Sequence, residues 1–133
     1  MAKTGDKGRV LVVDDKESMR EMLSEVFCNE GLSVLTASTG EEAIDRVGSE
    51  AFDVIVTDFK MPGKNGLDVL RSVKELSPET EVILMTAYGT IETAVEAMRL
   101  GAFDFVSKPF ELAEMELKVR KCLELKGARK DGA

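Results

Sequence analysis

The strict alternation of short apolar runs with longer amphipathic segments constrains the fold of this chain more than any other feature. Five runs are short and mostly β-branched or aliphatic, as expected of strands that are buried on both faces of a sheet. They comprise residues 10–13, 34–35, 54–56, 82–85 and 103–106. The pattern predicts five β-strands in one sheet.

An amphipathic segment follows each apolar run. The first places apolar residues at helical spacing from Met19 to Phe27 and stops at Gly31. The second opens with Thr39 and Glu42, which are spaced as a capping box. The other three span about 67–76, start near 90 and end before 101, and follow residue 109. Five strand–helix units predict an α/β domain with a parallel sheet and helices on both faces.

Composition and charge exclude several functions. The 133 residues suit one domain. A net charge of −7 opposes binding to nucleic acid or to an anionic membrane. No apolar stretch approaches the ~18 residues of a membrane helix, and the polar N-terminus lacks the apolar run of a signal peptide. We therefore expect a cytoplasmic protein that binds other proteins. Cys28 and Cys122 lie on apolar helix positions and are expected to be core thiols.

The chain contains no histidine. It therefore has no imidazole for general-base catalysis, for metal ligation or for donating a phosphoryl group. If phosphoryl transfer to this chain involves a histidine, a partner protein must supply it.

Polar side chains stand at the carboxyl ends of four predicted strands. Asp14 and Asp15 follow the first strand, Asp58 the third, Thr86 the fourth and Lys108 the fifth. In open parallel sheets the ligand crevice lies beyond these ends, at the point where the strand order reverses. The pattern predicts a functional site at this edge of the sheet.

Each of these residues alone has a simpler interpretation. Asp15 could cap the helix that starts near Lys16, and Asp58 could be a turn former. Thr86 alone would be an ordinary strand end, and Lys108 a solvated surface lysine. The coincidence of all five at strand ends favours one shared site over five separate explanations.

The chemistry of these residues is consistent with phosphoryl transfer. Three carboxylates close together repel one another, so a pKa rises or a cation binds. Oxygen ligands without histidine favour a hard cation such as Mg²⁺. A carboxylate can act as a nucleophile to form an acyl phosphate. Mg²⁺, Lys108 and the Thr86 hydroxyl would then neutralise the phosphoryl oxygens.

Four motifs resemble those of a known family. They are Val12-Val13-Asp14-Asp15, Asp58 to Gly63, Met85-Thr86-Ala87 and Lys108-Pro109-Phe110. From about 9 to 125 the chain resembles the receiver domains of two-component response regulators, which are similar to CheY. The resemblance implies a doubly wound (βα)5 fold with strand order 2-1-3-4-5. It also implies a receiver domain at 9–126, between an N-terminal extension at 1–8 and a tail or truncated linker at 127–133.

The resemblance also implies a role for each site residue. Asp58 would accept the phosphoryl group. Asp15, Asp58 and the backbone carbonyl of Lys60 would hold Mg²⁺, and Asp14 would act largely through a metal-bound water. Lys108 would pair with Asp58 and later with the phosphoryl group, to which Thr86 would donate a hydrogen bond.

Further residues occupy positions that switch or tune the site in this family. Phe105 stands where an aromatic side chain swings inward after phosphorylation; lacking a hydroxyl, it would act by packing, and the alternative is a plain core aromatic. Lys60 and Tyr88 would limit the access of hydrolytic water, or they are ordinary loop residues. The resemblance also makes Pro109 a candidate for a cis peptide bond.

The stretches 85–95 and 101–105 resemble the receivers of NtrC-type regulators, which govern an AAA+ ATPase that acts on an alternative sigma factor. This chain has no Walker motif and no DNA-binding helix pair. We therefore expect a receiver separated from its output domain, with a stand-alone receiver as the alternative. A sensor histidine kinase is the expected partner, and a homodimer can form on phosphorylation through a surface around strands four and five and helix four.

Two other functions remain as alternatives. A Mg²⁺-dependent phosphohydrolase with an aspartyl nucleophile would need a general acid two residues after Asp58, where Lys60 stands. A flavin carrier of the same fold would place backbone amides, rather than carboxylates, against the flavin phosphate. Both are disfavoured by the residues present.

Overall fold

The computed structural model describes residues 7–87 and 91–132, with side chains described at 7–87 and 92–125. The elements alternate without exception. The strands are β1 Arg9–Val13, β2 Ser33–Ala37, β3 Val54–Asp58, β4 Glu81–Thr86 and β5 Asp104–Ser107. The helices are α1 Glu17–Asn29, α2 Gly40–Ser49, α3 Gly66–Leu76, α4 Ile91–Arg99 and α5 Leu112–Gly132. Within the described residues, no helix is both long enough and apolar enough to cross a membrane.

All five strands form one parallel sheet in the order β2-β1-β3-β4-β5. The predicted fold and strand order are therefore confirmed. Because the strand order reverses beside β1, a crevice opens at the carboxyl ends of β1 and β3. In the register, Val13 pairs with Thr57, and Asp58 pairs with Met85. The ends of β1, β3 and β4 thus lie side by side at this crevice.

Two apolar cores lie on opposite faces of the sheet. On one face, Leu23 and Phe27 of α1 and Met115 and Val119 of α5 pack against alternate residues of the strands. On the other face, α2, α3 and α4 pack against the remaining alternate residues. Because both faces are covered, the strands have the continuous apolar sequence that predicted them.

The starts of α2 and α3 differ in detail from the prediction. The Thr39 side chain does cap α2 by accepting from the Glu42 amide, but the Glu42 carboxylate accepts from Ser38 rather than from Thr39. The reciprocal capping box lies instead at α3, between Asn65 and Asp68. It fixes the end of the loop that leads away from β3.

One other expectation differs from the structure, and one stays a prediction. Helix α5 continues to Gly132, so residues 127–132 are helical, and the domain end at 126 with a tail or truncated linker after it stays a prediction. Cys28 is exposed and only Cys122 is buried, so the prediction of two core thiols was wrong for Cys28. An apolar residue type at the margin of a helix face does not ensure burial.

Candidate functional site

Three of the predicted carboxylates come together at the carboxyl edge of the sheet. Asp14 and Asp15 follow β1, and Asp58 is the last residue of β3. One carboxylate oxygen from each lies within 4.8 Å of the others. This cluster is the site that the strand ends predicted.

Asp14 is completely buried and is fixed at every polar group. Its amide donates to the Ala37 carbonyl at 3.1 Å, and its Oδ1 accepts from the Lys16 amide at 2.9 Å. Its carbonyl accepts from Arg20 at 2.8 Å, and its Oδ2 lies 3.2 Å from Lys108 Nζ. A carboxylate held in this way is a rigid part of the site.

Asp15 is exposed, and its side chain does not cap α1. The capping position belongs to Lys16, which makes no capping bond with its side chain. The interpretation of Asp15 as a helix cap is therefore not supported. Its carboxylate faces the same crevice as Asp58, since both residues line one hollow together with Lys16, Lys60 and Lys108.

A single lysine lies between the two buried carboxylates. Lys108 Nζ is 3.2 Å from Asp14 Oδ2 and 3.2 Å from Asp58 Oδ1. Burial raises the pKa of Asp58, and although Lys108 opposes this change, Asp14 and Asp15 add to it. The positive charge of Lys108 does not fully offset the desolvation of Asp58 and the negative charges of Asp14 and Asp15. An additional cation beside Asp58 would therefore be favourable.

The loop after β3 approaches Asp58 closely because α3 begins with a glycine. A Cβ on Gly66 would lie 2.6 Å from the Asp58 carbonyl oxygen and 2.9 Å from the Phe59 Cα, which is too close for any other residue. The Gly66 amide donates to the Phe59 carbonyl, and the Phe59 amide donates to Met85. The end of β3 is therefore held in place by the neighbouring strand and helix.

Thr86 ends β4 with a hydroxyl that has no partner among the described residues. The residue is 3 % exposed, and its Oγ1 is one of two buried polar side-chain atoms without a hydrogen bond in the described part of the chain. The Thr86 carbonyl accepts from the Lys108 amide at 2.7 Å. A buried hydroxyl in this state is available to a ligand, since unsatisfied polar groups are costly unless something binds them.

Phe105 is half-buried and packs against the core on the α2, α3 and α4 face. In the register, Leu84 pairs with Phe105 and Thr86 pairs with Ser107. Thr86 is therefore a diagonal neighbour of Phe105 on the same face of the sheet.

The remaining predicted positions flank the site. Lys60 is exposed and lines the hollow beside Asp58. Tyr88 lies outside the described residues. The peptide bond between Lys108 and Pro109 is cis, as the motif predicted.

The donor set of this cluster fits a hard divalent cation. All of its ligand atoms are carboxylate oxygens, and the chain contains no histidine. Mg²⁺ is held by one or two carboxylates while it keeps several waters, and the exposed side of Asp15 leaves room for them. Asp14, Asp15 and Asp58 are the residues that would hold it.

Comparison with known protein families identifies the family to which this chain belongs. The family described as "Response regulator receiver domain" matches residues 10–120. The chain is a receiver domain of this family. It is therefore a regulatory domain rather than a classical enzyme. The family binds Mg²⁺ at an acidic pocket, and this chain has an aspartate cluster at the sheet edge.

Curated relatives relate this receiver to NtrC-type regulators. The regulatory protein AtoC of Escherichia coli is 42% identical over 92% of this chain, which spans 27% of AtoC. The DNA-binding transcriptional regulator NtrC of the same species is 37% identical over 88% of this chain, which spans 25% of NtrC. The receiver thus covers about a quarter of each.

Another relative and a solved structure are about the size of this receiver. Sporulation initiation phosphotransferase F of Bacillus subtilis is 38% identical over 89% of this chain and is itself covered to 95%. A CheY-like receiver domain protein from Methanospirillum hungatei has a TM-score of 0.88 at 26% identity, with 91% of this chain and 97% of that one covered. The solved structure bears out the receiver fold.

Sequence reasoning missed Arg20, whose guanidinium holds the Asp14 carbonyl of this receiver. An arginine on the first turns of an amphipathic helix has no distinguishing signal, because such positions are normally solvated. The reach from α1 back to the turn after β1 is visible only in the structure.

Proposed function

We propose that this receiver accepts a phosphoryl group on Asp58 from a histidine of a partner kinase in a Mg²⁺-dependent reaction. The observation that carries the proposal is the position of Asp58, which lies between a shared lysine and two further carboxylates at the sheet edge. A carboxylate that is short of positive charge binds a cation readily, and the same cation would attract a phosphoryl donor.

The reaction follows from the groups at the site. An Asp58 oxygen attacks the phosphorus atom while the bond from phosphorus to the donor nitrogen, or to the acetate oxygen of acetyl phosphate, breaks. Lys108 neutralises negative charge on the phosphoryl oxygens, and the Thr86 hydroxyl donates to one of them. Bound Mg²⁺ would supply additional positive charge at the same oxygens. The domain thereby catalyses its own phosphorylation, and attack by water on the acyl phosphate reverses it.

The response to phosphorylation is a change in packing. When the Thr86 hydroxyl turns to the phosphoryl group, the space that it leaves is filled by Phe105, its diagonal neighbour. Since Phe105 has no hydroxyl, the change depends on shape rather than on a new hydrogen bond. The surface around β4, α4 and β5 changes and alters a partner or homodimer contact.

The output of the switch is an NtrC-type transcriptional activator with an AAA+ ATPase. Similarity to AtoC and NtrC, of which the receiver spans about a quarter, supports this assignment. The alternative is a stand-alone signalling or phosphorelay receiver. Its support is sporulation initiation phosphotransferase F, a relative of about the same length as this receiver.

Lys60 and Tyr88 tune the lifetime of the phosphorylated form. Lys60 lines the hollow beside Asp58, where its long side chain hinders a water from approaching in line. Replacing both residues with alanine is expected to speed the loss of phosphate. An unchanged decay rate in the double variant would remove this role.

The experiment is phosphorylation by acetyl phosphate with Mg²⁺, followed by mass spectrometry. Wild type is expected to gain one phosphoryl group and Asp58→Asn none. Asp45→Asn is the matched control, because it removes an exposed carboxylate of α2 and should leave the gain intact. A phosphoryl group on Asp58→Asn would contradict the proposal, and steady turnover of small phosphate esters would support a phosphohydrolase.

A further inference from the structure

The hydrogen bond from Arg20 to the Asp14 carbonyl is not part of the phosphoryl transfer proposed above. The half-buried side chain leaves α1 and returns over its first turn, and its Nη1 donates to that carbonyl at 2.8 Å. This oxygen belongs to the peptide group that joins Asp14 to Asp15. Arg20 therefore holds the link between two of the three clustered carboxylates.

The positions of the Asp14 and Asp15 side chains depend to different degrees on the orientation of this peptide. The Asp14 carboxylate is buried and is fixed through both of its oxygens by Lys16 and Lys108. Asp15 is exposed, so packing does not fix its side chain. The direction in which Asp15 leaves the backbone is set by the peptide that Arg20 holds.

Arg20 also faces Glu42 at the start of α2. A hydrogen bond from the Ser38 amide lowers the pKa of Glu42, and attraction to Arg46 and Arg20 adds to it. Since Glu42 is itself fixed by Ser38 at 2.8 Å, it offers the guanidinium a stationary counter-charge. Arg20 therefore donates a hydrogen bond to the turn after β1 while its charge is attracted to Glu42 at the start of α2.

We infer that Arg20 is a positioning residue for the divalent-cation site, which it completes by orienting the Asp14–Asp15 peptide so that the Asp15 carboxylate meets Asp58. The inference rests on the proposed function, because it assigns Asp15 to the cation. Arg20 makes no contact with the cation in this scheme. It acts only through the backbone.

Loss of the Arg20 charge and loss of its hydrogen bond should change the Mg²⁺ affinity in opposite directions, which makes the inference testable. A cation close to an acidic cluster repels Mg²⁺, so removing the Arg20 charge alone should strengthen Mg²⁺ binding. Loss of the bond to the Asp14 carbonyl should weaken binding, because the Asp15 carboxylate is no longer held in place. The sign of the change therefore separates the two effects.

The test is a Mg²⁺ titration of wild type, Arg20→Gln and Arg71→Gln, followed by the amide signals in nuclear magnetic resonance spectra. Arg71 is a matched control, since its only described ion pair is to Asp68 on the surface of α3. Arg20→Gln is expected to bind Mg²⁺ about tenfold more weakly, the lower range for loss of a group that supports a metal ligand. Arg71→Gln should bind as wild type does.

A kinetic readout separates positioning from general damage. With acetyl phosphate, Arg20→Gln should need more Mg²⁺ for half-maximal phosphorylation but reach nearly the wild-type rate at saturating Mg²⁺. Urea unfolding checks that the variant is folded. If Arg20→Gln does not fold, Arg20→Lys replaces it; its shorter side chain keeps the charge and should give a smaller loss of Mg²⁺ affinity.

The outcomes distinguish this inference from the proposed function. Mg²⁺ binding by a folded Arg20 variant that equals or exceeds that of wild type overturns the inference and leaves the function of Asp58 intact. Failure of wild type to bind Mg²⁺ overturns the proposed function itself.

Discussion

Two buried threonines at opposite ends of β4 differ in how their hydroxyls are used. Thr80, just before the strand, donates to the Phe52 carbonyl at 2.8 Å and lies 2.7 Å from the Ser77 hydroxyl. Thr86, the last residue of the strand, has no hydrogen bond from its hydroxyl to any residue that the structure describes. Burial is nearly equal, at 1 % and 3 % exposure, so the difference reflects partners rather than solvent.

Charged side chains also differ between the two edges of the sheet. At the amino edge, Arg9 donates to the Ala51 carbonyl, pairs with Glu50 and lies over the Phe52 ring. At the carboxyl edge, one lysine is shared by two buried carboxylates. At the amino edge, the Thr80 hydroxyl and the Arg9 guanidinium have partners within the protein, whereas at the carboxyl edge the Thr86 hydroxyl has none among the described residues. We infer that the amino edge mainly stabilises the fold and the carboxyl edge mainly serves function.

The largest expected effect on stability is at the amino edge. Thr80→Val removes both contacts of the hydroxyl and leaves the buried Phe52 carbonyl without its donor. This should lower the free energy of unfolding by about 2 kcal/mol, the usual cost of an unsatisfied buried group. Urea unfolding measures it. Phosphorylation by acetyl phosphate should be unaffected, and a loss of phosphorylation in the folded variant would contradict the division between the edges.

Lys108→Met tests the charge balance of the carboxyl edge. Removing the shared cation should tighten Mg²⁺ binding about tenfold, which corresponds to about 1.4 kcal/mol of lost repulsion. Phosphorylation should nevertheless become slower, because the lysine no longer neutralises the phosphoryl oxygens. A Mg²⁺ titration and a phosphorylation time course measure the two effects. Weaker Mg²⁺ binding by this variant would show that Lys108 organises the carboxylates rather than competing with the cation.

Asn65→Ala tests a satisfied polar group close to the site. Asn65 and Asp68 form a reciprocal capping box at α3, and Asn65→Ala should lower the free energy of unfolding by about 1 kcal/mol. Thermal unfolding measures this cost, and Ser49→Ala at the end of α2 serves as a comparison outside a cap. An equal effect of the two substitutions would show that the box contributes nothing specific.

The smallest effect on stability is expected at Thr86. Thr86→Val removes a hydroxyl without a partner, so the free energy of unfolding should stay within about 0.5 kcal/mol of wild type or rise. Phosphorylation should still occur, but the change in amide signals around β4 and β5 that accompanies it should be reduced. A loss of stability as large as that of Thr80→Val would show that the Thr86 hydroxyl is bonded in solution.

Much of the fold and the site could be predicted from sequence because both depend on position along the strands. Strands buried on both faces have short apolar runs, so the first two residues after a run mark the carboxyl edge of the sheet. The sequence places Asp14, Asp15, Asp58, Thr86 and Lys108 in this way, and all five lie at that edge. The cis bond before Pro109 came from the motif rather than from the physics of the sequence.

Other features depend on contacts that have no sequence period. The capping box at Asn65 and Asp68 has the spacing of a cap, but the apolar residues that predict the helix do not indicate it. The bond from Arg20 to Asp14 joins a helix to the preceding turn and leaves no pattern. Cys28 is exposed although it lies on an apolar position of α1, so the periodicity of the helix alone does not determine its burial.

The most direct test of the central claim is to locate the phosphoryl group. After phosphorylation with acetyl phosphate and Mg²⁺, borohydride reduces an acyl phosphate to the corresponding alcohol, so the modified aspartate becomes homoserine. Peptide mass spectrometry then identifies the residue. We predict homoserine at position 58 alone; homoserine at position 14 or 15, or none at position 58, would contradict the account.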